Sequence, residues 1–444
     1  MTFKHITKLY VLLFMLCASK SNAQLFELSA TFNPVGAGAR ALALGGAYAG
    51  EGSDATGDTW NTACLGLIRN PEIAMMCSFL YRKEDNYFSQ RDSLSNVGRI
   101  SEMDLNYIGA VIPFKGIQRN MVFSMSYQQV YSMDRDWNFI NKVQVFDDLY
   151  TIDKWHYVQS GGLSTIGLSY AIQLNPRLHL GIKCNFWDNS LSENKWKQKY
   201  HCNGKVVSDT NVISSEFDET ETYSFKGHNF NLGLLYKINY QFYIGATIKT
   251  PFSATIDYQM DSVTIIDSDP DNPDFDNDQT TYHLDMPLSY GLGMIYHFSD
   301  QFRMSMDAYC TRWDKFIQTN EKGEEVFPIT LKPIETVDVD PTIQVRMGAE
   351  YLWQYKDCFI PLRGGLFYDP APGDKKSYDF WGTTVGTGIT KNHQYSVDIA
   401  YQYRYGNDIN TVDLSHLGFS QDVSEHSVFF SVIYYFSGQS WEKE

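Results

Sequence analysis

The chain has 444 residues, a formal net charge of −16 and 15% aromatic residues, including 30 Tyr and 28 Phe. This acidic balance excludes a nucleic-acid partner, because phosphate binding rests on Lys and Arg. No apolar run reaches the roughly 18 residues that a membrane helix needs, which leaves a soluble β protein or a membrane β-barrel.

The first element is an export signal. Lys4 and Lys8 lead into an apolar run at 9–18, and small residues follow at 21–23. That order marks a cleaved signal peptide, 1–23, with Gln24 as the first mature residue. A lipoprotein signal is the weaker reading, because Leu16 rather than a small residue precedes Cys17. Cleavage removes Lys4, Lys8 and Lys20 and no acid, so the mature chain is more acidic still. Six cysteines remain, Cys64, Cys77, Cys184, Cys202, Cys310 and Cys358, none in a C-x-x-C pair. Their pairing cannot be read from spacing. Cys184 and Cys310 fall on the apolar phase of strands and read as small hydrophobes.

Next comes "GARALALGGAYAGEGSDATGDTW", 38–60, which has no strand alternation and too many glycines for a good helix. Beyond it, alternation with period two recurs to the end of the chain. Strand windows fall at 73–82, 102–114, 121–132, 161–173, 178–188, 224–238 and 241–256. Seven more fall at 284–298, 302–315, 341–354, 358–368, 380–390, 394–406 and 426–436. In "FRMSMDAYC", for example, Phe302, Met304 and Met306 oppose Arg303, Ser305 and Asp307. One face suits lipid and the other a wet lumen. On this reading Arg at Met304 is costly and Ala at Asp307 is not.

The gaps alternate. "NPR" at 175–177, "NY" at 239–240, "SDQ" at 299–301 and "KNH" at 391–393 are tight turns. Segments 133–160, 189–223, 257–283, 316–340 and 407–425 are expected as long loops. Outer-membrane barrels segregate short periplasmic turns from long external loops in this way, and a soluble sandwich has no reason to. The expected fold is therefore all-β, a 14-stranded antiparallel transmembrane barrel over 73–436. The last window ends on Phe436, which resembles the signal read by the barrel-assembly machinery; the tail 437–444 follows it. The partners implied by this much are outer-membrane lipids and that machinery.

Four blocks carry a family resemblance. "GGAYAGEGSDATGDTWNTACLGL", 45–67, is similar to the N-terminal hatch of the long-chain fatty-acid (FadL-type) outer-membrane transporters. "GATIKTPFSATIDY", 245–258, resembles that family's strand closing on a Lys/Arg-Ser-Pro-like step. "DMPLSYGLGMIYHFSDQFRMSMDAYCTRWDKF", 285–316, resembles a strand–turn–strand block ending in Trp-x-x-Phe. "LRGGLFYDPAP", 362–372, resembles a strand ending in Tyr-Asp-x-x-Pro. Thr62 and Cys64 depart from the family's usual Pro and Gly in the hatch turn, which leaves the local geometry of that turn open. The resemblance implies a hatch within 24–72 folded into the lumen, an apolar pocket and ligand exit sideways into the membrane. It also leaves open a second branch, the carrier barrels of type IX secretion, whose partner is a protein.

A lumen of this size stays open unless something fills it. Residues 31–66 enter from the periplasmic side and suit that role. Arg40, Gly45, Gly46, Glu51, Asp54, Asp58 and Asn61 are the expected hatch residues. Arg303, Asp307, Arg346, Glu350, Asp398 and Arg404 are expected to line the lumen, with Arg40, Asp54 and Asp58 available to pair with Arg303, Arg346 and Glu350. Trp196, Tyr200 and Phe217 in the segment 189–223 are candidates for a ligand groove, with loop self-packing as the alternative. No G-x-S-x-G, H-E-x-x-H or G-K-S/T motif is present, so no enzyme is expected. No cofactor is expected either; Asp274, Asp276 and Asp278 in the acidic run 267–278 are the one set that could hold Ca²⁺, and a solvated loop is the simpler reading.

Overall fold

The computed structural model describes residues 36–116, 119–209, 211–391, 394–409 and 417–436. The expected signal peptide, residues 24–35, His393 and the tail 437–444 lie outside the described residues. No helix among the described residues is long and apolar enough to cross a membrane.

The chain is built of strands. The first five are β1 Glu72–Phe88, β2 Asn96–Gly116, β3 Arg119–Ser132, β4 Arg135–Phe146 and β5 Leu149–Gln173. Then come β6 Leu178–Asp188, β7 Asn194–Ser208, β8 Val212–Lys237, β9 Phe242–Lys249 and β10 Phe252–Ile266. They are followed by β11 Asp274–Met286, β12 Ser289–His297, β13 Phe302–Thr311, β14 Ile317–Thr319 and β15 Glu325–Val326. The last are β16 Thr342–Tyr355, β17 Cys358–Tyr368, β18 Phe380–Lys391, β19 Tyr395–Ile409 and β20 Phe419–Tyr435.

Among the described residues, fourteen of these strands close a ring in antiparallel register. It runs β1, β2, β3, β5, β6, β8 and β9. It continues through β12, β13, β16, β17, β18, β19 and β20 back to β1. Every expected window overlaps one of the fourteen. The phase is also as read: Met304 is 41% and Met306 39% exposed on the outer face, whereas Asp307 is 1% exposed on the inner one. Outward apolar side chains such as Ile73, Phe123, Leu234, Met347 and Phe430 form a belt around the ring. Cys184 lies opposite Leu168 and Phe230, and Cys310 opposite Tyr290 and Ile343, all on that outward face. Among the described residues no disulfide links two of the six cysteines.

Three of the expected long loops are strands instead. β5 has 25 residues and β8 has 26, whereas a tilted crossing needs only about 9–11. Their upper halves carry β4 and β7, and β10 and β11 add on beyond β8. The segments 133–160, 189–223 and 257–283 therefore form one sheet above the barrel. The expected strand 241–256 is broken at Thr250–Pro251, and 284–298 spans a second break at Pro287. Proline has no N–H to give a central ladder. The chain leaves the ring at Pro251 and rejoins it after Pro287, with Phe252 paired to Met286 just above both breaks.

Candidate functional site

Residues 36–67 lie against the inner face of the ring and are almost entirely buried. The segment forms a short helix, Ala39–Ala43, and two 3-10 turns, Ala55–Thr59 and Thr62–Leu67. Asp54 caps the first turn through Thr56 N–H at 2.9 Å, and Asn61 caps the second through Ala63 N–H at 3.1 Å. The second turn thus closes with Thr62 and Cys64 in place, both buried, because Asn61 supplies the cap. Its amide also donates to Ala49 O at 2.8 Å and to Leu234 O on β8 at 2.9 Å.

Small residues let this backbone touch the wall. Gly45 has φ +67°, and a Cβ there would lie 2.9 Å from two wall carbonyls, those of Met347 and Leu366. The wall reciprocates. A Cβ on Gly245 would meet Ala49 O at 1.9 Å, and Gly181, Gly233, Gly348 and Gly365 also abut the segment. These wall glycines are missing from the sequence-based set. The signal was present, since glycine on the inward phase of a strand marks a close backbone approach.

Buried charges join the segment to the wall in two groups. In the first, Arg40 meets Glu51 at 3.3 Å, Asp54 at 3.6 Å and Glu350 of β16 at 3.8 Å. Arg303 of β13 bridges Glu51 and Glu350. Arg363 of β17 joins Glu350 at 2.6 Å to Asp398 of β19 at 2.5 Å. In the second group, Asp58 accepts from Lys183 Nζ of β6 at 3.0 Å, Ser126 Oγ at 2.8 Å and Tyr107 Oη at 3.2 Å. Contacts from charged side chains to backbone add to these. Asp307 accepts from Tyr48 and Ala49 N–H, both at 2.8 Å, and Arg346 donates to Gly45 O at 3.0 Å. Gly46 abuts the Arg346 guanidinium and the Trp60 ring.

Of the expected pairings, Arg40 with Glu350 forms. Asp54 instead takes Arg40 and the Tyr48 hydroxyl, the latter at 2.6 Å, and Asp58 takes Lys183. Arg404 faces inward without touching the segment. It pairs with Glu425 at 2.9 Å and Asp369 at 3.5 Å in a higher layer. Lys183 and Arg363 are absent from the sequence-based set, although each is the one Lys or Arg of its strand, as Arg303 and Arg346 are of theirs.

Above the segment is a cavity of about 100 Å³. Trp60, Tyr131, Trp187, Phe252, Met286 and Trp313 supply apolar lining; Asn185, Asn229, Asn231, Gln344, Arg346 and Lys249 supply polar lining. Lys249 forms no ion pair with a described residue. The roof is packed aromatic. Trp196 stacks on Tyr223 at 4.8 Å, Tyr200 lies 4.9 Å from Tyr157, and Phe217 lies 6.0 Å from Trp155. These three expected groove residues therefore self-pack on the inner face of the upper sheet and do not line the cavity.

Beside the cavity the wall is also interrupted between β2 and β3. The β2–β3 ladder stops at Tyr107–Gln128, and each strand bulges there, at Asn106 and Val130. Above that point side chains bridge the gap, with Asn106 to Gln129 at 3.3 Å and Ser132 to Glu102 at 3.1 Å.

Asp274, Asp276 and Asp278 do not converge. They lie along one face of extended β11, where alternate residues stand about 6.6 Å apart. Among the described residues the only trio with metal-ligand spacing is His201, Glu216 and Asp218. There the imidazole is already held by Asp218 at 2.7 Å and Asn203 at 2.8 Å.

A closed antiparallel ring with an apolar outer belt, a charged lumen and an inserted N-terminal segment defines a transmembrane β-barrel. The family model described as "Outer membrane protein transport protein (OMPP1/FadL/TodX)" matches residues 28–436, and the chain belongs to that family. It is accordingly an outer-membrane transport protein and not an enzyme. Solved structures agree on the fold. The CymD monoaromatic hydrocarbon channel is 15% identical, with 92% of this chain and 100% of that one covered and a TM-score of 0.54. A Pseudomonas aeruginosa FadL homologue is 12% identical with the same coverage and a TM-score of 0.57. The Pseudomonas putida toluene transporter TodX is also 12% identical at that coverage, with a TM-score of 0.56. No curated relative matches the chain at a significant level.

Proposed function

We propose that this barrel passes hydrophobic small molecules inward without energy coupling, and that long-chain fatty acids are the ligand class. Residues 36–67 act as a plug. The ligand enters from the aromatic upper sheet, rests in the cavity over Trp60, and leaves sideways through the gap between β2 and β3. The supporting observation is the two-sided cavity: aromatic rings suit an apolar chain, and Lys249, a cation without a carboxylate partner among the described residues, suits an anionic head.

The test is displacement of a fluorescent fatty acid from the purified protein by oleate and by toluene. Lys249→Met is expected to weaken oleate about 10–100-fold, the scale of one hydrogen bond to a charged group, and to leave toluene unchanged. Equal effects on both ligands would refute the head-group role. A co-purifying protein, with no saturable hydrophobe binding, would favour the secretion-carrier branch instead.

A further inference from the structure

An acidic chain carries one basic stripe. On β7, Lys195, Lys197 and Lys199 alternate with Trp196, Gln198 and Tyr200. Period two puts the three ammonium groups on one face and the packed residues on the other. Lys197 and Lys199 are exposed and Lys195 is half-buried. None of the three forms an ion pair with a described residue.

This face is the outward face of the barrel continued upward. Along β8 the outward residues run Tyr236, Leu234, Leu232 and Phe230, then His228, Lys226, Ser224, Thr222 and Thr220, without a break in alternation. The apolar belt therefore ends near Phe230. Lys195 stands opposite Ser224, Lys197 opposite Thr222 and Lys199 opposite Thr220. At about 3.3 Å per residue and a tilt of about 40°, the stripe runs from about 15 to about 25 Å above the belt. That is above the roughly 5–7 Å head-group layer of a phospholipid leaflet and at the level of a larger saccharide head group, toward which long flexible lysines extend.

The surroundings suit phosphate and sugar. The cross-strand neighbours on β8 are hydroxyls, and those on β5 are Gly162, Ser160 and Val158. On this face Glu193 precedes Lys195 by two residues, about 6.6 Å, without an ion pair to it, and Asp136, Asp257 and Asp261 lie two strands away, about 10 Å. Asp218, diagonal to Lys199, is held by His201, and Lys226 is held by Asp188. Lysine is depleted in protein–protein interfaces, so a protein partner fits this face poorly.

We propose that Lys195, Lys197 and Lys199 bind the phosphorylated saccharide head group of a glycolipid in the outer leaflet, fixing the upper sheet to the membrane surface. The test is binding of the full chain in mild detergent to diphosphoryl lipid A and to its phosphate-free counterpart, at about 150 mM salt. Wild type is expected to prefer the phosphorylated lipid, and the Lys195→Gln/Lys197→Gln/Lys199→Gln variant to lose on the order of 10–100-fold in affinity for it alone. Lys205→Gln, higher on the same strand, should bind like wild type. Heat-dependent gel mobility checks folding, and Lys197→Glu alone serves if the triple variant does not fold. The proposal is overturned by unchanged affinity in the folded variants, by equal retention of the phosphate-free lipid, by an equal loss in Lys205→Gln, or by full displacement with inorganic phosphate.

Discussion

Replacing Lys183 with Met probes how the inner segment is held. Lys183 and Asp58 are both essentially excluded from water and lie 3.0 Å apart. Breaking a buried ion pair from one side costs about 3–5 kcal/mol, because the remaining charge stays buried. Here Asp58 keeps the Ser126 hydroxyl as a donor and a share of the Tyr107 hydroxyl, whose proton goes mainly to Ala55 O at 2.6 Å, so the lower end, about 3 kcal/mol, applies. At about 1.4 kcal/mol per tenfold, the undocked fraction of the segment rises on the order of 100-fold. Hydrogen exchange read by mass spectrometry should show peptides within 36–67 losing protection while the ring strands keep theirs. Single-channel conductance in planar bilayers should rise in step. Asp58→Asn combined with Lys183→Met should recover part of the loss, since neither charge is then stranded. Unchanged exchange in Lys183→Met, or a double variant that simply adds the two single losses, would refute the pairing as the anchor.

Other substitutions test the lumen and the upper sheet. Met304→Arg on the outward face should destabilise the ring by about 2–4 kcal/mol in urea titrations if it lies near the bilayer midplane; a cost near zero would invert the assigned phase. Asp307→Ala should leave the ring intact but release the Tyr48 and Ala49 amides, weakening segment docking by about 1–3 kcal/mol in the exchange assay. Alternation places Asp307 on the lumen side; there it is buried and holds the Tyr48 and Ala49 amides, so the effect falls on the segment and not on the ring. In the upper sheet, burial pushes the Glu221 carboxyl up to about 7, with the Tyr258 and Tyr223 hydroxyls donating to it at 2.9 and 3.1 Å. The unfolded chain releases this proton near 4.5 and the folded chain near 7, so stability is lost as pH rises through that interval, by at most about 3 kcal/mol. Glu221→Gln should flatten the pH dependence of upper-sheet protection between pH 5 and pH 7.5, and an unaltered slope would count against the buried carboxyl.

The fourteen ring strands and their phase were legible in the chain because a wall between lipid and water imposes period two on every strand, residue by residue. Phe302 to Thr311 alone shows both solvents. The tight turns were legible for the same local reason, as short polar breaks between such runs. The upper sheet was not. Residues 194–208 and 212–224 also alternate, but neither of their faces meets the hydrocarbon of the membrane, so polar and aromatic side chains mix and resemble loop. The two prolines that divert the chain, Pro251 and Pro287, become interpretable only when β9 is seen paired to β12 across the excursion they bracket. The inner segment was legible as small-residue chain with nowhere else to go. Its attachments were decided by tertiary structure: Asp58 meets Lys183 across 125 residues of sequence, and Glu350 gathers Arg40, Arg303 and Arg363 from three separate elements. Local alternation reports which solvent a residue faces. Which charge it meets depends on the register with which distant strands close the ring.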